Sequence, residues 1–206
     1  MRDHMKLTPD SPEFKDLFDK IKAMLQAGDY DITIELIEEK LSRSNATIES
    51  AWLRYYKGVS HFLKGDYIDA ERQFENQISN CADSDDEYLK GLSYHMLGYI
   101  AFQRSFFDIA RLYFEHALKI FVSIDEQKEI ANTNKMLGII AYRTGKYSAA
   151  DRLLKKSLSY YIKNTYYKGT ILTKIAMARN HQFLGDLDRS IELLKSSLEE
   201  ATKHGY

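Results

Sequence analysis

Residues 94–118 read YHMLGYIAFQRSFFDIARLYFEHAL, and residues 134–158 read NKMLGIIAYRTGKYSAADRLLKKSL. Offset by 40 residues, the two stretches align Leu97-Gly98 with Leu137-Gly138, Ala110 with Ala150, Phe114 with Leu154, and Leu118 with Leu158. In each, a short turn divides two apolar-periodic runs: Ser105-Phe106-Phe107 in the first, Gly145-Lys146-Tyr147 in the second. The same turn recurs as Gly28-Asp29-Tyr30, Gly65-Asp66-Tyr67 and Gly185-Asp186-Leu187, and the first residues of the five turns are 37, 40, 40 and 40 apart. A helix that stops and reverses within a few residues favours a left-handed residue just past its end, which glycine adopts without a Cβ penalty. The aromatic that usually follows restarts the chain against the helix it has just left.

Seven residues before the turn stand Gly58, Gly98, Gly138 and Ala178. Glycine inside a helix costs about 1 kcal/mol relative to alanine, so its recurrence points to another helix crossing closely there. Five residues after the turn come Thr33, Ala70, Ala110, Ala150 and Ser190, expected to be the other half of that contact. Four further on are Ile37, Phe74, Phe114, Leu154 and Leu194, then Leu41, Ile78, Leu118, Leu158 and Leu198, an apolar stripe at helical spacing. The spacing predicts antiparallel helices over 13–27 with 30–43, 50–64 with 67–81, 86–104 with 107–123, 126–144 with 147–163, and 166–184 with 187–204. Ser11 before Pro12, Ser84 three before Glu87, and Ser123 three before Glu126 read as helix starts, the last two as capping boxes.

Composition agrees with helix. Hydrophobic residues make up 44% of the 206, aromatics 13%, and the only prolines are Pro9 and Pro12. Long helices are thereby favoured over a turn-rich sandwich. A lone cysteine, Cys81, cannot form an internal disulfide, and nothing resembles a secretory leader, so a reducing cytoplasm is the expected location. No run approaches the roughly 18 apolar residues of a membrane span. Residues 1–130 carry 16 Lys+Arg against 24 Asp+Glu, whereas residues 131–206 carry 13 against 6. The chain is therefore acidic early and basic late.

The pattern resembles the tetratricopeptide repeat family. In the third unit Tyr94, Leu97, Gly98, Ala110, Phe114 and Ala117 stand at that family's spacing, with Ala101 where an aromatic is usual; the fourth matches through Leu137, Gly138, Tyr147, Ala150 and Leu154. Ile21 at the small position makes the first unit a degenerate cap, and the proline ending the usual motif, about 34 residues long, is absent. The lengthened period is similar to that of bacterial regulators, peptide-responsive signalling proteins and kinesin light chains. The resemblance implies an all-α, right-handed α-solenoid of about five antiparallel pairs. Its units are 13–45, 50–81, 86–123, 126–163 and 166–204, after a flexible leader at 1–12.

The sequence contains no phosphate-cradling glycine loop, metal-ligand pair on one helix face or nucleophile motif, so no catalytic residue, metal or cofactor is expected. His61 and His181 occupy equivalent positions far apart along the chain and read as packed side chains. The acidic run from Cys81 to Glu87 lacks a calcium loop's central glycine and distal glutamate and reads as a helix N-terminus.

In the resembled family the first helix of each pair lines a concave groove. Carried over, the groove positions are Trp52, Tyr55, Val59 and Phe62; His95, Tyr99 and Phe102; Lys135, Ile139, Tyr142 and Arg143; and Ile175, Arg179 and Gln182. Such a surface, grading from aromatic to basic, suits a protein or peptide partner, with Arg143 or Arg179 meeting an acidic group. The positions that clamp a C-terminal carboxylate in chaperone-binding members hold Tyr55, Val59, His95 and Tyr99, so that activity is not expected.

The expected function is a regulatory binding scaffold rather than an enzyme. An alternative is the sensory or oligomerising portion of a larger bacterial regulator with an output domain beyond Tyr206. It draws on Leu187, Ile191, Leu194, Leu198 and Ala201, which leave the last helix apolar and open to homo-oligomer formation. Nucleic-acid binding through Arg152, Lys155, Lys156, Lys163 and Lys168 is disfavoured, because basic residues spread over several faces usually form a solvated surface.

Overall fold

A computed structural model describes residues 14–43, 47–80 and 86–206. The expected leader, the Ser11-Pro12 start, Cys81 and Ser84 lie outside the described residues. The described residues form ten α-helices and no strand. They are α1 (Lys15–Ala27), α2 (Tyr30–Arg43), α3 (Thr47–Lys64), α4 (Tyr67–Asn80), α5 (Glu87–Gln103), α6 (Phe107–Ser123), α7 (Gln127–Arg143), α8 (Tyr147–Lys163), α9 (Tyr167–Phe183) and α10 (Leu187–His204). No helix among the described residues is long and apolar enough to cross a membrane.

The five expected turns do use left-handed residues: Gly28, Gly65, Gly145 and Gly185 have φ between 77° and 95°, and Ser105 has φ 62°. After α7, Gly145 N donates to Tyr142 O and Lys146 N donates to Ala141 O at 2.8 Å, which satisfies carbonyls the helix end would otherwise orphan. The last two connections between pairs repeat this arrangement. Asp125 and Thr165 are left-handed at φ 57° and 55°, with Glu126 N bonded to Phe121 O and Tyr166 N to Tyr161 O, both at 2.9 Å. From α5 on, every turn is the same three-residue reversal, and helices begin at 87, 107, 127, 147, 167 and 187. The 40-residue period is thus two like elements of 17 helical residues and a turn.

This corrects the capping box at Ser123. That residue ends α6, and its Oγ donates to Ile120 O at 2.7 Å. A three-residue reversal leaves no room for a serine cap, and Glu126 takes the N-cap position without a side-chain bond. At the start of α5 the capping acceptor is Asp86, whose Oδ1 receives the Leu89 amide at 3.1 Å.

The close contact is real, but its other half differs from the expectation. A Cβ added to Gly58 would lie 2.8 Å from the Phe74 ring, and one added to Gly138 would lie 2.8 Å from Leu154 Cγ. The glycine slot on the first helix therefore receives the large residue of the second. The small residue one turn earlier comes next; Ala150 O lies 3.4 Å from the Gly138 position.

The chain divides into two compact units, Met1–Ile100 and Ala101–Tyr206. The first is built on Phe18, Ile21, Ile37, Trp52, Leu53 and Leu89, so the bulky Ile21 of the atypical first pair serves as core. The second is built on Ala141, Tyr142, Ala150, Leu154, Ala176, Met177, Ala178 and Leu193. In α10 the buried positions are Ser190, Leu193 and Ser197, while Leu194 and Leu198 are 45% and 68% exposed. The small positions Ser190 and Ser197 stay buried as Ala150 and Ser157 do in α8, but the leucine equivalent to buried Leu154 is exposed here.

Candidate functional site

Of the fourteen groove positions carried over from the sequence, six lie in the first unit. Trp52 and His95 are buried, which corrects their reading as contact residues. The Trp52 ring fills the space between α3 and α5, its centroid 6.2 Å from that of Tyr88. Tyr55 is half-buried, edge-on to Trp52 at 5.8 Å and the same distance from Phe74. Phe62 and Tyr99 are also half-buried, with centroids 6.4 Å apart, and Tyr99 rests edge-to-face on His95 at 5.0 Å. The first unit thus presents a Phe62–Tyr99 pair seated on a buried imidazole.

In the second unit, half-buried Phe102 packs 5.7 Å from Phe107, and the exposed Arg143 guanidinium stands 5.4 Å over the Phe107 ring. These three form one patch. Tyr142 is buried, a second correction: its ring supports the exposed Phe183, stacked at 6.0 Å, which also stacks on Tyr147 at 6.0 Å. Arg179 is exposed and without an ion pair among the described residues. Lys135 is half-buried, its ammonium 5.8 Å over the Tyr161 ring, and burial pushes its pKa below the usual lysine range.

Charge follows the same division. Residues 101–206 carry 17 Lys+Arg against 11 Asp+Glu. His181 Nδ1 lies 3.1 Å from Asp186, and His61 Nδ1 lies 3.8 Å from Asp66, so each histidine faces the aspartate of its own turn. Among the described residues no group of three or more His, Cys, Asp or Glu could hold a metal ion.

Residues 90–163 match the tetratricopeptide repeat family. No curated protein matches the sequence significantly. Several solved structures resemble the chain. The kinesin light chain TPR-like repeats of Podosopora anserina are 15% identical, with a TM-score of 0.71 over 97% of this chain and 99% of that one. BtubC (BKLC) from P. vanneervenii is 17% identical, with a TM-score of 0.74 over 90% and 79%. The Rap conjugation gene regulator of plasmid pLS20, in complex with the Phr* peptide, is 17% identical with a TM-score of 0.76; this chain is covered in full and spans 59% of that protein. The fold is that of the tetratricopeptide repeat.

Within that repeat, Phe183 stands 40 residues after Arg143, so the periodicity alone could have added it to the set. Phe107 is the turn aromatic of the third pair. Lys128, Tyr161, Tyr166 and Lys168 also come together in the second unit, around a cavity. Their signal was the doubled tyrosines at 160–161 and 166–167 beside basic residues, a pattern whose simpler reading is packing between repeats.

Proposed function

We propose that this chain is a binding scaffold for a protein or peptide segment, regulatory in role, with acidic segments preferred in its basic second unit. The observation that carries the reading is an exposed cation paired with a ring, Arg143 over Phe107 beside Phe102, together with the exposed Phe183 stacked on Tyr142 and Tyr147. Rigid rings supply contact area at low entropic cost, and guanidinium groups meet carboxylates in a planar fork. The similarity to Rap proteins solved with the Phr* peptide and with competence and sporulation factor supports a peptide as the ligand class. On an array of extended acidic, neutral and basic peptides, acidic sequences should be retained best. Replacing both Arg143 and Arg179 by alanine should weaken that retention about tenfold, the effect of one lost hot spot. Equal retention by wild type and double variant would count against the reading.

A second reading, self-association through α10, has its own observation. Leu187, Ile191, Leu194 and Leu198 are each at least 45% exposed and share one face of that helix. A face with this spacing can pair with its own copy antiparallel. Light scattering at rising concentration should show a dimer that Leu194→Lys with Leu198→Lys converts to monomer; a wild type that stays monomeric removes the idea.

A further inference from the structure

The surface of the second unit carries an open cavity of about 310 Å³ where α7 and α9 begin and α8 ends. Gly169 makes its wall possible, because a Cβ there would stand 2.6 Å from the Tyr161 ring. The Tyr161 hydroxyl donates to Asn132 Oδ1, and Asn132 Nδ2 donates to Glu129 Oε2 at 2.8 Å. That chain of bonds fixes the ring and holds Glu129 on the asparagine.

Three ammonium groups line this cavity: Lys128, Lys135 and Lys168. Lys135 lies over the Tyr161 ring and Lys128 over the Tyr166 ring, each at 5.8 Å, and none of the three forms an ion pair among the described residues. Burial, and to a lesser degree the charge of Lys168, push the Lys135 pKa down, against the opposing pull of Glu129. Lys168 also sits in the first turn of α9, which has no acidic residue and no side-chain cap. A cation there opposes the helix dipole. An anion between the lysines would offset both their mutual repulsion and that opposition.

We propose that this cavity is a phosphate-binding pocket in which a phosphate monoester sits between Lys135 and Lys168, with Lys128 supplying a third charge and the open start of α9 its amides. Three positive charges exceed what one carboxylate neutralises. No arginine fork is present to favour a planar carboxylate, whereas lysine point charges and a helix N-terminus suit a tetrahedral dianion. The inference rests on the peptide-binding reading for the source of the group, a phosphorylated segment, with a free phosphate ester as the other source of the same chemistry.

Calorimetry of the full chain tests it with four probes: a phosphoserine peptide, the same peptide with serine, the same with glutamate, and inorganic phosphate. The phosphoserine peptide should bind at least about tenfold tighter than its serine and glutamate counterparts, and Lys135→Met or Lys168→Gln should each remove about tenfold. Inorganic phosphate should slow acetylation of the Lys135 amine, read by mass spectrometry. Binding of inorganic phosphate as tight as that of the phosphopeptide supports the pocket and assigns it to a free ester. Lys135→Met should still fold, melting about 2–4 °C higher at neutral pH because an unpaired, half-buried ammonium is gone. That gain should shrink as pH climbs from the lowered folded-state value of Lys135 toward 10.5 and vanish above 10.5, where the wild-type amine is neutral in both states. Absence of heat and of Lys135 protection with both phosphate probes, or equal binding of the glutamate peptide, overturns the proposal. Peptide retention that needs Arg143 and Arg179 but not Lys135 overturns this inference alone; Lys135-dependent phosphate binding without peptide retention overturns only the earlier reading.

Discussion

Gly138→Val is expected to lower stability by about 2–3 kcal/mol, at the upper end for overpacking a buried contact. The added side chain would begin 2.8 Å from Leu154 Cγ and 2.9 Å from its Cδ2, inside the closest separation two carbons tolerate. Leu154 has no accessible surface through which to swing aside, and the Ala150 carbonyl closes the slot from the other direction. Valine recovers only a few tenths of a kcal/mol of helix propensity over glycine, so the steric cost wins. Helical repeats distribute stability among neighbouring elements, so the loss should be local. Hydrogen exchange should show amides of α7, α8 and α9 opening at much lower free energy while those of α3 and α4 keep their protection. Unchanged protection in α7 and α8 would mean that the slot at Gly138 accommodates a larger side chain and does not hold this position small.

The repeat was legible because its determinants are local and chemically narrow. A left-handed turn after a helix selects glycine, and a close crossing selects a small residue, so both recur in the sequence at fixed distance. The observed helices fall within three residues of the expected spans, the largest difference being α3, which starts at Thr47 rather than near 50. The turns at Asp125 and Thr165 escaped notice because their left-handed residues are not glycine. A bond pattern made by backbone groups leaves little trace in side-chain identity. The same blindness produced the capping box at Ser123, since a serine three residues before a glutamate looks alike whether it starts a helix or ends one.

Site residues were less legible, for a geometric reason. Repeat position fixes which face of the first helix a side chain occupies, not how deep it lies. Large rings at a groove position can turn into the space between neighbouring first helices, as Trp52 does beside Tyr88, or serve as the floor for a ring outside them, as Tyr142 does for Phe183. Arg143 and Arg179 stay outside because a guanidinium is costly to bury without a partner. The lysine cavity draws on α7, α8 and α9 together, and the carboxylate beside it, Glu129, is bonded to Asn132 rather than paired with a lysine, a property no single stretch of sequence expresses.

Phe74→Ala is expected to have the largest effect of any single truncation in the first unit, about 3–5 kcal/mol. The ring is fully buried, fills the slot opposite Gly58 and packs 5.8 Å from Tyr55. One glycine substitution, made with and without the ring, gives a sharper outcome than the loss itself. In the wild type, Gly58→Ala puts a methyl group 2.8 Å from Phe74 Cε1 and Cζ, and a rigid buried ring cannot yield as a flexible chain end would. The overpacking, about 1–3 kcal/mol, should outweigh the gain of about 1 kcal/mol in helix propensity, so the variant should be less stable. Once Phe74 is alanine, the ring contacts are gone and the 3.2 Å approach to Gln73 Cβ is the tight one that remains. Gly58→Ala should then be stabilising by up to about 1 kcal/mol, a reversal of sign measurable by denaturant unfolding of the four chains. If Gly58→Ala has the same sign in both backgrounds, the glycine is not held small by Phe74, and the recurrence of small residues at this position needs a cause other than the ring it faces.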